Sequence, residues 1–132
     1  YIADYYHDDQ PTPVRTAHGE LVSVPYSMEI NDAVGYRYQV EGVEFERMIR
    51  DAFDVLYEEG ASSGRVMAIC LHPYLYGQPH RVKYLDRALE YVLGHEGVWQ
   101  ATGTEIAAWA KEHWLPGLAE SEAASRGGQR NG

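Results

Sequence analysis

One short segment, Val66 to Leu71, consists of six apolar residues with no polar residue between them. A run this short and this apolar predicts a β-strand that is buried on both faces, which is typical of a parallel sheet. His72 follows directly, and Pro73 behind it cannot donate a hydrogen bond to a neighbouring strand. The pattern therefore places His72 at the carboxyl end of a buried strand, the edge at which α/β folds carry their chemistry.

Two amphipathic helices are predicted on either side of this strand. Apolar residues recur at helical spacing from Val43 to Glu59, with charged residues on the opposite face. Phe53 lies in the middle of the apolar stripe, so we expect its ring to be buried against the sheet. A second helix is predicted from about His80 to Leu93.

The last predicted helix begins at Thr102, because Glu105 follows it at the spacing of a capping box. We expect this helix to run to about Trp114 and to be stopped by Pro116. From residue 116 to 132 the sequence turns to Ala, Ser, Glu, Gly and Arg, which predicts a disordered tail after a domain of residues 1–115.

Three further strands are predicted, at Tyr1–Tyr6, Leu21–Tyr26 and Gly97–Ala101. A polar loop, His7–Pro13, separates the first two, and Ala33–Glu41 reads as a connection rich in tyrosine and glycine. Strands that alternate with helices predict an α/β fold with a parallel sheet covered by helices. Because four strands cannot close a barrel, we expect an N-terminal half to be absent from this chain.

Polar residues follow the predicted strands and should meet at one rim of a parallel sheet. His72 fits a general acid, because imidazole gains and loses protons near pH 7; a metal ligand or a purely structural histidine stay open. The acidic residues fit a base, metal ligands or groups that orient a catalytic partner, and equally well simple turns. The sets are Asp4, His7, Asp8 and Asp9, then Glu29, Asn31 and Asp32, then His72, then Thr102.

Composition limits the partners of the chain. Its 132 residues fit one domain, and a formal net charge of −9 makes nucleic acid and anionic membranes poor partners. No apolar run approaches the about 18–20 residues that span a bilayer. Cys70 is the one cysteine, and we expect a small buried hydrophobe in a reducing, cytoplasmic setting. Since the chain begins at Tyr1 without a methionine, we expect a piece of a longer protein.

Two other residue types bear on the site. No His-x-x-x-His or Cys-x-x-Cys spacing occurs, so a metal site made by this chain alone is not expected. Tyrosines at the predicted rim could stack on a sugar or another flat ligand, or pack half-buried against the fold. They are Tyr36, Tyr38, Tyr74 and Tyr76.

Several segments, in this order along the chain, carry a family resemblance. They are Asp8–Pro11, Leu21–Ser27, Glu29–Asp32, Arg65–Pro73 and Trp99–Ile106, with Trp109. With these segments the chain resembles the polysaccharide deacetylase family from about Tyr1 to Trp114. The nearest branch contains cofactor-independent allantoinases and peptidoglycan deacetylase-like proteins.

The resemblance implies the C-terminal portion of a distorted (β/α)7 barrel that hydrolyses a C–N amide-type bond. It also implies a zinc-type divalent metal, with its ligands and a neighbouring base upstream of residue 1. His72 matches the histidine that protonates the leaving amine, and Asp4 matches an aspartate that orients a catalytic partner, although Tyr5 stands where many members have tryptophan. We expect the substrate to contact Asp8, Asp9, Tyr26, Glu29, Asn31 and Tyr74.

The implied substrate is an N-acetylated sugar, as in a polysaccharide or peptidoglycan deacetylase. Two alternatives stay open: an allantoinase-like enzyme acting on a small cyclic amide, and a non-catalytic carbohydrate-binding relative. The partner implied in either case is the missing N-terminal half of the domain, without which we expect the chain to be inactive. A homo-oligomer stays open.

Overall fold

A computed structural model of the chain describes residues 1–118. Five α-helices and one β-hairpin account for most of its regular structure. In chain order they are β1 (Thr12–Thr16), β2 (Gly19–Ser23), α1 (Asp32–Arg37), α2 (Gly42–Gly60), α3 (Pro73–Tyr76), α4 (Pro79–Leu93) and α5 (Gly103–Trp109). A π-helical turn, Ala110–Trp114, continues α5. None of the helices in this part of the chain is both long and apolar enough to cross a bilayer.

Helices α2 and α4 pack against each other and form the larger core, as their amphipathic patterns predict. Phe45, Ile49 and Phe53 of α2 meet Ala88 and Val92 of α4 in one buried cluster. Phe53 is 5% exposed, so its predicted burial is confirmed. The ring lies among the side chains of Tyr57, Tyr91 and His95, so it packs against α4 rather than against a sheet.

A second, smaller core joins the hairpin to the C-terminal helix. Val22 and Val24 pack against Ala107, Ala110 and Leu115. The indole of Trp114 donates a hydrogen bond from Nε1 to the carbonyl of Pro11, at 3.0 Å. These contacts tie the two ends of the described chain together.

The prediction of a buried parallel strand at Val66–Leu71 is wrong in two respects. Residues 66–70 are half-buried, and Leu71 is 39% exposed. Within residues 1–118 the run is held to other segments by an isolated parallel bridge between Cys70 and Asn31 and by a hydrogen bond from the Val66 N–H to the Asp9 carbonyl, at 2.8 Å. An apolar run reports which residues avoid water but not which strands lie beside it. Among residues 1–118, no third strand joins the hairpin.

The predicted parallel sheet is likewise replaced by an antiparallel hairpin, in which Thr12 of β1 lies opposite Ser23 of β2. In the described part of the chain, parallel bridges join Ile2 to Ser23 and Asn31 to Cys70. Strand β1 escaped prediction because it lies at an edge with little burial, so its sequence lacks apolar alternation. The predicted strand at Gly97–Ala101 does not form.

The C-terminal helix begins as predicted but ends later. The capping box of Thr102 and Glu105 is confirmed, with both reciprocal hydrogen bonds formed. Pro116 does not stop the helix, and residues 115–118 remain helical. The π-helical turn before it, closed by the Leu115 N–H to the Ala110 carbonyl, loosens the hydrogen-bond ladder that a proline would break. The rest of the predicted disordered tail, residues 119–132, lies outside the described residues.

Candidate active site

His72 lies at the end of the extended segment, where the sequence predicts it, and is held by a carboxylate. Its ring Nδ1 lies 2.6 Å from Oδ1 of Asp32, and its backbone N–H donates to Oδ2 of Asp32 at 2.7 Å. An ionised carboxylate only accepts hydrogen bonds, so Nδ1 must carry a hydrogen. Asp32 is fully buried, whereas the His72 side chain is 38% exposed. Nε2, on the far side of the ring, forms no hydrogen bond with any residue from 1 to 118.

Asp32 is placed by the start of helix α1. The side chain of Asn31 caps this helix by accepting hydrogen bonds from the N–H groups of Ala33 and Val34. The N–H of Asp32 donates to the carbonyl of Cys70 at 3.0 Å, which sets residue 32 beside residue 72. The segment Ala33–Glu41, which its tyrosine and glycine content marked as a connection, therefore begins with a functional helix.

Tyr26 extends this arrangement. Its hydroxyl accepts a hydrogen bond from Nδ2 of Asn31 at 3.0 Å. Hydrogen bonding with Cys70, and then burial, raise the pKa of Tyr26. The Cys70 thiol also lies 3.3 Å from the Ser27 carbonyl, so it is part of a half-buried polar cluster rather than a fully buried apolar filler.

Four predicted substrate residues line one cleft of about 500 Å³: Asp8, Asp9, Tyr26 and Glu29. Side chains of helix α2, among them Val55 and Leu56, form its apolar wall. Asp8 also accepts a hydrogen bond from the N–H of Gln10, which is the simple turn that the sequence left open. The cleft is not lined by His72, and Tyr26 with Asn31 connects the two places.

Tyr74 and Asp4 lie differently. The ring of Tyr74 is 67% exposed, and its centre lies 5.3 Å from that of the imidazole of His72, where a flat ligand could stack. Asp4 is exposed, and its carboxylate forms no hydrogen bond or ion pair within the described residues. The carboxylate that orients His72 is Asp32 and not Asp4; a role for Asp4 toward another partner stays a prediction.

The described residues do not make a metal centre. Within residues 1–118 no group of three or more His, Cys, Asp or Glu side chains could hold a metal ion. Oδ1 of Asp32 is engaged with Nδ1 of His72 and Oδ2 with the His72 backbone N–H, so Nε2 is the one nitrogen of this pair left to bind a metal. The zinc-type metal that the resemblance implies is therefore not part of the chemistry derived from these residues.

Sequence reasoning did not single out Asp32. It belongs to the polar set after the second predicted strand, and the sequence does not indicate which residue it contacts. Asp32 and His72 are 40 residues apart, and their contact depends on the pairing of residues 30–32 with residues 70–72. The one local signal was the Asn-Asp pair, which is typical of a helix start.

The comparisons with known proteins agree with the predicted resemblance. No family model matches the chain. The chain is 39% identical over 129 residues to a candidate polysaccharide deacetylase of Schizosaccharomyces pombe, which covers 86% of the chain and 39% of that protein. The crystal structure of a probable polysaccharide deacetylase from Pseudomonas aeruginosa PAO1 matches 84% of the chain, with a TM-score of 0.77 and 38% identity. That of PuuE allantoinase also matches 84%, with a TM-score of 0.78 and 36% identity.

The resemblance to polysaccharide deacetylases is thereby confirmed for a part of such a protein. The chain spans about 39% of the length of the curated relative, and 39% and 38% of the two solved structures. With identities of 36–39%, these matches concern more than the backbone fold.

Proposed function

We propose that this chain is the C-terminal part of a deacetylase-like hydrolase that cleaves a non-peptide C–N bond. The observation that carries the proposal is the pair of Asp32 and His72, an imidazole with one nitrogen held by a buried carboxylate and the other free. The similarity to polysaccharide deacetylases over most of the chain supports the same reaction class.

His72 acts as the general acid in this proposal. Amide hydrolysis needs a proton on the departing nitrogen, and Nε2 of the doubly protonated imidazole can deliver it while Nδ1–H stays bonded to Asp32. Asp32 is a positioning residue, because it keeps hydrogen on Nδ1 and fixes the ring without touching the substrate. Activation of the attacking water is assigned to the part of the relatives' length that this chain does not span.

The exposed extended segment supports the proposal that the chain completes a distorted (β/α)7 barrel. Residues 66–69 are half-buried, and among residues 1–118 no β-bridge forms with them, although the Val66 N–H donates to the Asp9 carbonyl at 2.8 Å. An unpaired apolar edge of this kind is suited to pair with a further strand. In the barrel, the remaining strands would supply that pairing, and any zinc-type metal would be held by their residues.

The substrate we propose is an N-acetylated amino sugar. The cleft with Asp8, Asp9, Tyr26 and Glu29 offers hydrogen-bonding groups, and the exposed Tyr74 beside His72 offers a stacking face. A small cyclic amide is the second candidate, because PuuE allantoinase matches the chain as closely as the deacetylase structure does.

The test is made in the full-length protein with His72→Gln and His72→Asn. The Asn variant keeps a donor for Asp32 and removes only the proton-delivering nitrogen, so it separates chemistry from folding. We expect both variants to lower kcat by about 10²–10⁴-fold with unchanged thermal unfolding. His80→Gln, an exposed histidine of α4, is the control and should retain full activity.

The assay is run on N-acetylglucosamine oligomers and, separately, on allantoin. Turnover of the sugar supports the deacetylase, and turnover of allantoin alone transfers the same acid role to the cyclic-amide hydrolase. If both His72 variants keep kcat within about threefold of the wild type on the substrate that the wild type turns over, His72 is removed from the mechanism.

A further inference from the structure

The side chain of Asn31 is hydrogen-bonded at both its oxygen and its nitrogen, although within residues 1–118 it bonds to neither the Asp32 nor the His72 side chain. Its Oδ1 accepts from the N–H groups of Ala33 at 3.0 Å and Val34 at 3.4 Å. Its Nδ2 donates to the Tyr26 hydroxyl at 3.0 Å. Asn31 is 6% exposed, so this amide is directed into the protein and away from any substrate.

We infer that Asn31 and Tyr26 are positioning residues for the acid: they fix the start of helix α1 and, through Asp32, the direction of the His72 ring. The inference rests on the proposed function of His72. It replaces the substrate contact that the sequence predicts for Asn31 with an indirect role.

The backbone between these residues leaves little freedom. Cys70 N–H donates to the Ile30 carbonyl at 2.9 Å, and Asp32 N–H donates back to the Cys70 carbonyl at 3.0 Å. Asn31 lies between these two hydrogen bonds and is anchored at its side chain on both sides. Loss of the Asn31 anchor therefore allows residue 32 to shift relative to residue 72, while the two backbone hydrogen bonds can persist.

A small shift is enough to matter. A general acid works only within hydrogen-bond reach of the atom it protonates. Displacement of a catalytic group by about 1 Å can lower the rate by about 10²-fold. Since Asp32 holds both the ring and the backbone of His72, any movement of Asp32 is passed directly to the imidazole.

Tyr26 gives the arrangement a second role. It lines the cleft proposed to hold substrate, and its hydroxyl accepts the hydrogen bond from Asn31. The wall of the cleft and the acid are thus joined through one amide. Loss of this link should lower kcat more than it raises KM, because the groups that face the cleft remain in place.

The experiment compares four variants of the full-length protein on the substrate that the wild type turns over. Asn31→Ala removes both the cap and the link to Tyr26. Asn31→Ser keeps a capping oxygen and loses the link, and Tyr26→Phe loses the link together with the hydrogen bond to Cys70 and one hydroxyl of the cleft. Thr102→Ala is the matched control, since it removes the cap of a helix that does not carry the dyad.

We expect Asn31→Ala to lower kcat by about 10–100-fold with KM changed less than about threefold. Asn31→Ser and Tyr26→Phe should give smaller falls of similar size, and Thr102→Ala should keep wild-type kcat. In a His72→Gln background, Asn31→Ala should cause no further fall, because the group it positions is absent.

Each contrary result has a distinct meaning. If His72→Gln leaves activity intact, the proposed function fails. If His72→Gln lowers kcat but Asn31→Ala stays within twofold of Thr102→Ala, or its effect adds fully to that of His72→Gln, the inference about Asn31 is overturned. If Tyr26→Phe alone keeps wild-type kcat while Asn31→Ala does not, the Tyr26 part is overturned.

Discussion

Asp32 binds one residue, His72, with both of its carboxylate oxygens: one accepts from the ring and the other from the backbone N–H. The pair thereby fixes the side-chain rotamer and the tautomer of the imidazole together. Burial of the carboxylate keeps water from competing for either hydrogen bond. In the proposed mechanism, the protonated ring that acts as the acid is thus held by a residue that lies behind it and does not need to touch the substrate.

Asp32→Asn should separate the position of His72 from its tautomer. The asparagine oxygen can still accept from the His72 backbone, but its amide N–H₂ would face Nδ1 and favour hydrogen on Nε2. Delivery of a proton from Nε2 while Nδ1 keeps its hydrogen requires the imidazolium, which the neutral amide of Asn no longer stabilises, so we expect kcat to fall by about 10²–10⁴-fold with little loss of stability. Measurement of kcat together with nitrogen-15 NMR of the imidazole tests this. A variant that keeps wild-type kcat with the changed tautomer would contradict it.

Phe53→Ala tests the core between α2 and α4. The ring is 5% exposed and lies among the rings of Tyr57, Tyr91 and His95, so its loss leaves a cavity that helices cannot readily close. We expect a loss of about 3–5 kcal/mol in the free energy of unfolding. Val55→Ala, on the same helix but 56% exposed, is the control and should cost about 0.5 kcal/mol or less. Equal losses in urea unfolding would refute the assigned core.

Helices α2 and α4 were predictable because their burial follows a period written into neighbouring residues. The capping box of α5 was equally local, since Thr102 and Glu105 satisfy each other within one turn. For these elements, residues three to four apart contain the whole signal.

The site was predictable only in part, because its second half lies far along the chain. His72 stands out after an apolar run, but nothing near it identifies Asp32 as its partner. The same limit explains the misjudged strand at Val66–Leu71. Its composition is that of a strand, but strand pairing depends on residues far along the chain that no local pattern identifies. Among residues 1–118 this pairing amounts to one bridge, to Asn31.

Glu46→Ala tests a buried charge between the two long helices. Glu46 is 9% exposed and binds Arg50 of its own helix and, through Nε at 3.0 Å, Arg87 of α4. Charge-assisted hydrogen bonds of this kind contribute about 1.5–3 kcal/mol, so we expect a loss of that order. Glu44→Ala breaks the exposed pair with Arg47 and should cost clearly less, because water and salt screen exposed charges. Urea denaturation of both variants decides, and a Glu46 loss no larger than that of Glu44 would contradict the prediction.

Tyr76 should make the folded state sensitive to high pH. Tyr76 is 3% exposed, and within residues 1–118 its hydroxyl has no hydrogen-bond partner. Burial raises the pKa of Tyr76 to about 12, because the phenolate would lose its hydration. In the unfolded chain the pKa is about 10, so the unfolded state releases its proton first. Stability is therefore full below about pH 10 and declines as pH rises from about 10 to about 12, by about 2–3 kcal/mol from this residue.

Tyr76→Phe isolates that contribution. The substitution keeps the ring beside Phe45, at a centroid distance of 4.5 Å, and removes only the unpartnered hydroxyl. Since an unsatisfied buried polar group costs free energy, we expect unchanged or slightly higher stability at pH 7, and a shallower decline above pH 10. Tyr38→Phe, at a residue that is 74% exposed, is the control and should follow the wild-type curve. Thermal unfolding from pH 8 to pH 11.5 is the measurement. A Tyr76→Phe protein that loses stability at pH 7 would show that the hydroxyl has a partner, and a Tyr76→Phe protein that declines above pH 10 as steeply as the wild type would show that another group causes the decline.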